Sequence, residues 1–215
     1  MKIGFIGSGN VGQTLGRVLI EKGHEVKLGA REPAKLTNWK QSLGNSELAS
    51  VGTYREAAEH GELVINATPG VVSLEVLQSV GREALAGKIL IDVALPLAFE
   101  NGELRLSSPP NGSLGEQIQH AFPETKVVKT LNTVTSALMV NPLHLAEGQH
   151  DMFIGGNDAD AKNEVAAYLR QWFGWRNIVD LGDISSARAT EGLLLLSSRI
   201  YGAFGHSNFN LKVVH

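Results

Sequence analysis

The stretch "KIGFIGSGNVGQTLGRVL", residues 2–19, decides the fold of this chain. Residues 3–7 read as a buried strand that runs straight into glycines at Gly7, Gly9 and Gly12. Behind them Val11, Leu15, Val18 and Leu19 recur at helical spacing, and Gly23 stops the helix. Each glycine has a separate reason in such a strand–turn–helix. Gly7 permits the tight turn, Gly9 leaves the backbone bare for a pyrophosphate, and Gly12 lets the helix close on the strand. The helix start, at Ser8, Asn10 and Val11, offers free N–H groups and a partial positive charge to the phosphates.

The end of the second strand, residues 25–30, selects the dinucleotide. An NAD site normally carries Asp or Glu there, on the ribose hydroxyls. Here the chain reads "LGAREPAK", residues 28–35, with Gly29 or Ala30 in the acidic slot and Arg31 after it. A small residue followed by arginine leaves room and positive charge for a 2′-phosphate. Lys35 is a second cation within reach, and Glu32 is expected to face solvent. The reading is NADP(H) rather than NAD(H).

Further along, short β-rich runs alternate with helical stretches. Strands are expected at 63–68, 88–94 and 126–132, with helices at 53–61, 72–87 and 113–122. Strands buried on both faces and separated by helices mean a parallel sheet covered on both sides, wound in two halves. "VINATPG" (64–70) and "IDVALP" (91–96) end two of these strands, so Ala67, Thr68, Pro69 and Ala94 are candidate walls for the nicotinamide half. Residues 95–113, rich in proline and glycine, read as a surface loop with room for a small hairpin. From about residue 149 a smaller α/β extension follows: strands at 151–156 and 177–182, helices at 158–174 and 185–205. The division expected is a Rossmann domain over 1–148 and an extension over 149–215.

Composition narrows the function. The 215 residues contain no cysteine, which removes disulfides, iron–sulfur clusters, thiolate zinc sites and cysteine nucleophiles together. A net charge of −3 gives no electrostatic case for nucleic acid or an anionic membrane. The start "MKIGFIG" does not read as a signal peptide, and "GLLLL" (192–196) is far short of a membrane span, so the expected location is the cytoplasm. No G-x-S-x-G elbow is present, the seven histidines show no metal-ligand spacing, and no acid–base pair stands out.

The motifs together resemble the coenzyme F420-dependent NADP oxidoreductase family, and the cofactor domain is similar to the reductase domain of the STEAP ferric reductases. The resemblance rests on "IGFIGSGNVGQTL" (3–15), "VKLGAREPAK" (26–35), "KVVKTLNTV" (126–134), "DMFIGGNDADAK" (151–162) and "VDLGDISSARATEGLLLL" (179–196). It implies that the slots of Ser8, Ala30, Arg31 and Lys35 meet the 2′-phosphate region. It implies hydride exchange between NADP(H) and a planar acceptor, coenzyme F420 or a flavin.

Such a reaction asks little of side chains beyond stacking two rings and excluding water. Asn132 and Thr133, at the end of the strand over 126–132, are candidate acceptor contacts, and His206 in "FGHSNFN" (204–210) is a third. Two other classes stay open. One is a hydroxyacid or imine dehydrogenase, for which only about 65 residues remain after position 150. The other is a dinucleotide sensor without catalysis. The apolar helix over 192–205 either packs on the sheet or joins two copies in a homodimer.

Overall fold

A computed structural model describes residues 1–100, 103–107 and 112–214. Among the described residues ten strands form: β1 (Lys2–Ile6), β2 (Glu25–Gly29), β3 (Ala49–Gly52), β4 (Leu63–Asn66), β5 (Ile89–Asp92), β6 (Leu97–Glu100), β7 (Glu103–Leu106), β8 (Lys126–Thr130), β9 (Asp151–Gly156) and β10 (Asn177–Asp180). Eight of them make one sheet in the order β10-β9-β8-β5-β4-β1-β2-β3, and β6 and β7 pair as a separate antiparallel hairpin. The six strands from β3 to β8 run parallel. The sheet changes direction once, where β9 lies antiparallel to β8, and β10 then follows β9. The α/β doubly wound, mostly parallel Rossmann fold read from the sequence is the fold found. The expected hairpin in the 95–113 loop is β6–β7; residues 101–102 and 108–111 of that loop lie outside the described residues.

The helices are α1 (Asn10–Glu21), α2 (Thr37–Ser42), α3 (Tyr54–His60), α4 (Gly70–Val80), α5 (Leu114–Ala121), α6 (Ser136–Val140), α7 (Ala159–Tyr168) and α8 (Ala187–Phe204). Alternation along each strand divides the core between the two sheet faces. Phe5, Val26, Leu28, Ile65, Ile91 and Val128 pack on one side with α1, Trp39 and Trp175. Ile6, Val64, Leu90 and Val127 pack on the other with Leu77, Ile118 and Phe122. Helix α1 shows why the opening stretch folds as it does: Gly12, Leu15, Gly16, Leu19 and Ile20 are its buried residues, one stripe at helical spacing.

One boundary and three short elements depart from the sequence reading. The helix expected over 72–87 ends at Val80, because Gly81 takes a φ of 94° that an L side chain resists, and Arg82–Ala84 is a separate 3-10 turn. Strand β3 and helices α2 and α6 were not anticipated. Leaving β1, the chain winds outward through β2 and β3, then returns to lay β4 on the other side of β1. The sheet's switch point therefore falls between β1 and β4, and a crevice opens beyond their carboxyl ends.

Candidate functional site

The glycine loop sits at that crevice, and its three glycines differ in what surrounds them. Gly7 has a φ of 113°, and a Cβ there would stand 2.5 Å from the Ala67 carbonyl. A Cβ on Gly12 would meet the Gly7 carbonyl oxygen at 2.4 Å. Both must be glycine for packing alone. Gly9 is different: a Cβ there would meet nothing within 4 Å. Gly9 is also the N-cap of α1, which has no side-chain cap and no acidic residue in its first turn. An uncapped, uncrowded helix start with bare N–H groups suits an anion. The loop is pinned from behind, where Gln13 Nε2 donates to the Ser8 carbonyl (2.8 Å) and Asn10 Nδ2 to Ser136 Oγ (2.8 Å).

Three cavities run along the carboxyl edge. The central one, about 640 Å³, is lined by Gly7, Ser8, Gly9, Asn10 and Val11 at one end and by Ala67, Thr68, Pro69, Ala94, Leu95 and Asn132 at the other. A second, about 680 Å³, opens beside β2 and is lined by Ala30, Arg31, Thr53, Tyr54, Arg55 and Pro69. Tyr54 and Pro69 belong to both walls, so the two adjoin. Arg55 in this wall is already taken by Glu59 (2.8 Å) and Glu83 (2.9 Å). Lys35 pairs with Glu32 at 2.9 Å and is not among the lining residues.

The third cavity, about 440 Å³, lies against α8. Leu95, Asn132, Val134 and Thr135 line both it and the central cavity. Thr133, Leu194, Ser197, Ser198, Tyr201, Ser207 and Phe209 complete it, so its wall is apolar with hydroxyls and carries no charged side chain. His206 is exposed beside the Phe204 ring and does not line it. The backbone ahead of this wall is unusual. Leu131 has a φ of 64°, a conformation that costs a leucine roughly 1–2 kcal/mol. Directly after it, both amide atoms of Asn132 and the Thr133 hydroxyl are buried without a hydrogen-bond partner. Orphaned polar atoms of this kind are rare and call for a ligand or water.

Sequence reasoning missed the polar cluster beneath these walls. Lys129 Nζ donates to Asp92 Oδ2 (2.9 Å), to the Ala94 carbonyl (2.5 Å) and to Glu191 Oε1 (3.0 Å). Asp92 Oδ1 accepts from Asn66 Nδ2 (2.8 Å) and from the Ala94 N–H (3.2 Å). Asn66 in turn donates to Ser73 Oγ and accepts from Thr68 Oγ1. Burial works against the Lys129 charge, but Asp92 and Glu191 beside it hold its ammonium above the ordinary lysine value. The only sequence signal was weak: a lysine and an aspartate inside otherwise apolar strands, "KVVKT" and "ILID".

Comparison with known proteins decides the family. The chain is 31% identical over 206 residues to the F420-dependent NADP reductase of Methanocaldococcus jannaschii, covering 90% of this chain and 89% of that protein. The chain belongs to the coenzyme F420-dependent NADP oxidoreductase family. The family model described as "NADP oxidoreductase coenzyme F420-dependent" matches residues 2–96. A candidate F420-dependent NADP reductase from Arthrobacter sp. FB24 has the same fold over the full length of both chains, with a TM-score of 0.94 and 45% identity. Rat metalloreductase STEAP3 is 31% identical over 90% of this chain, which spans 36% of that longer protein. Membership makes the chain an NADP-dependent oxidoreductase. Among the described residues no helix is long and apolar enough to cross a membrane.

Proposed function

We propose that the chain passes hydride between NADP(H), held along the glycine loop, and a planar ring acceptor held against α8, with coenzyme F420 the acceptor favoured by the family. The observation that carries this is the shared wall: Leu95, Asn132, Val134 and Thr135 face both the central cavity and the one beneath α8. Bound NADPH supplies the hydride; the chain's own residues do the holding. The α1 start around Gly9 takes the pyrophosphate and Arg31 the 2′-phosphate, while Thr68, Pro69 and Ala94 border the nicotinamide half. The uncharged wall suits a neutral ring, and the free Asn132 amide can both donate to and accept from a ring's carbonyl and N–H groups. Residues 149–215 supply the acceptor side of the pocket and a homodimer contact, and the setting is the cytoplasm.

Steady-state oxidation of NADPH with F420, FMN, FAD and ferric chelates tests the reading. Asn132→Ala is expected to lower turnover of the true acceptor by about tenfold, the effect of losing one or two buried hydrogen bonds, while NADPH affinity barely moves. Equal effects on both would mean the acceptor site is misplaced. If no acceptor oxidises NADPH, a binding module that senses NADP(H) becomes the better account.

A further inference from the structure

The segment that follows α8 forms no helix or strand over residues 207–214, yet it is held in one place. Ser207 and Phe209 line the cavity under α8 together with Asn132 and Thr133. The anchor lies at the start of β9. Strand β8 pairs with β9 over Ile154–Gly156, and the tail takes up the residue where β9 begins: the Asp151 N–H donates to the Leu211 carbonyl at 3.0 Å. The Asp151 carboxylate accepts from the Val213 N–H at 2.6 Å. Asn210 supplies the side-chain part, because its Nδ2 lies 2.9 Å from the Asp151 carbonyl and 2.8 Å from His150 Nδ1. Both His150 and Asp151 are buried, so the anchor is built into the protein rather than laid on it. Its protons are assigned by its partners. A carbonyl only accepts, so the Asn210 atom facing Asp151 is the amide nitrogen, and His150 Nδ1 accepts its second proton. His150 Nε2 then carries the ring proton, given to the Pro142 carbonyl at 3.0 Å. The imidazole also stands edge-on to the Trp175 ring, with centroids 5.2 Å apart.

We infer that Phe209 is a binding face for the acceptor ring, and that Asn210, by latching the tail to His150 and Asp151, is the residue that positions it. The inference rests on the function proposed above. Tyr201 of α8 and Phe209 of the tail are the aromatic residues lining this cavity. Ser197 and Ser198 beside them donate to the Leu193 and Leu195 carbonyls of α8, so their hydroxyl protons are spent. Such a wall recognises a flat, largely apolar surface by stacking and burial, and leaves hydrogen bonding to Asn132. A ring wall is worth most when it is held before the acceptor arrives, since no freedom is then lost on binding. The latch residue adjoins Phe209 in sequence and restrains it directly. The turn "FGHSNFN" (204–210) therefore brings Phe209, rather than His206, to the cavity.

The test is a double-mutant cycle on Phe209 and Asn210. Phe209→Ala is expected to raise KM for F420, or for FMN if that is the ring wild type reduces, by about three- to tenfold. The dissociation constant of NADPH should stay at its wild-type value. Asn210→Ala should act in the same direction although it leaves the ring in place. Because the latch acts through Phe209, the double variant should be no worse than the worse single one, whereas independent contributions would multiply. Phe209→Tyr keeps the ring and should keep KM. Quenching of F420 or FMN fluorescence, titrated without NADPH, should follow the same order and so separate binding from turnover. An unchanged KM in either single variant, effects that multiply, or an equal loss of NADPH affinity overturns the inference and leaves the latch a structural tie. A wild type that binds NADPH but neither ring removes the proposed function, and this inference with it.

Discussion

In the cofactor site proposed above, Arg31 and Gly9 each make a separable prediction. Arg31 lies in the cavity beside β2, whereas its neighbour Lys35 is engaged by Glu32. A charge-assisted hydrogen bond to phosphate is worth about 1.5–3 kcal/mol, so Arg31→Ala should weaken NADPH binding roughly 10- to 150-fold. NADH, lacking the 2′-phosphate, should be nearly indifferent; parallel titrations of both cofactors check this, and equal losses would count against the assignment. Gly9→Val should abolish dinucleotide binding yet leave the fold intact, because its side chain enters open space where a phosphate would lie. Circular dichroism alongside cofactor titration separates the two effects. At Gly7 the same substitution would collide with Ala67 and fail for a different reason. The strand–turn–helix and its crowded glycines were legible in the sequence, because a glycine spacing after a strand reports backbone geometry directly. The Asn132 amide and the Lys129 cluster were less so. Their meaning depends on which strands lie side by side, and β5 and β8 are neighbours in space across more than 30 residues of chain.

Elements show a similar division. Strands and the longer helices announced themselves by period, and β9 was read to the residue. Short pieces did not: α2 has six residues and α6 five, too few for a periodic signal, and β3 is a four-residue edge strand with only Ala49 and Gly52 buried. The attachment of α8 could not be read at all. It is fixed to α5 by a two-point contact, with Arg188 Nε and Nη2 meeting the Glu116 carboxylate at 2.8 and 2.6 Å. Arg188 foremost, with Ser113 assisting, holds the Glu116 carboxyl below the usual carboxylate range. Because the folded value is the lower one, the pair stabilises the protein above the ordinary glutamate range and loses that contribution as pH falls through it. The arginine is half exposed, so the worth is that of a well-formed surface pair, about 0.5–1 kcal/mol. Arg188→Ala should lower the midpoint of thermal unfolding by about 1–4 °C at pH 7. The gap between variant and wild type should close near pH 3. A gap that stays constant with pH would assign the loss to packing of the arginine stem.

At the scale of the whole molecule, α8 is the element the single chain leaves unfinished. Only Ala187, Thr190 and Glu191 of its 18 residues are buried, all in its first turns. That first part of the helix holds the contacts of Arg188 and Glu191 to α5. Beyond it, Leu195, Leu196, Tyr201 and Phe204 are between 47% and 60% exposed, and Val213 and Val214 of the tail are exposed as well. Exposed apolar side chains in this number are a poor surface for a free protein and a good one for a partner. Because Leu194 and Tyr201 of the same helix line the cavity proposed for the acceptor, a second copy seated on this helix would bear on that pocket wall. Self-association of identical surfaces is an economical way to cover these side chains, since one patch serves both copies. The chain is therefore expected to be a dimer at micromolar concentration, with a light-scattering mass close to twice 23.0 kDa. Leu196→Glu with Phe204→Glu should convert it to monomer, because two carboxylates per copy would have to be buried at the contact. NADPH should still bind that monomer, since neither residue borders the central cavity, while turnover with the acceptor should fall. A wild-type mass of one chain would remove the dimer, and a dimer indifferent to both substitutions would place its contact elsewhere.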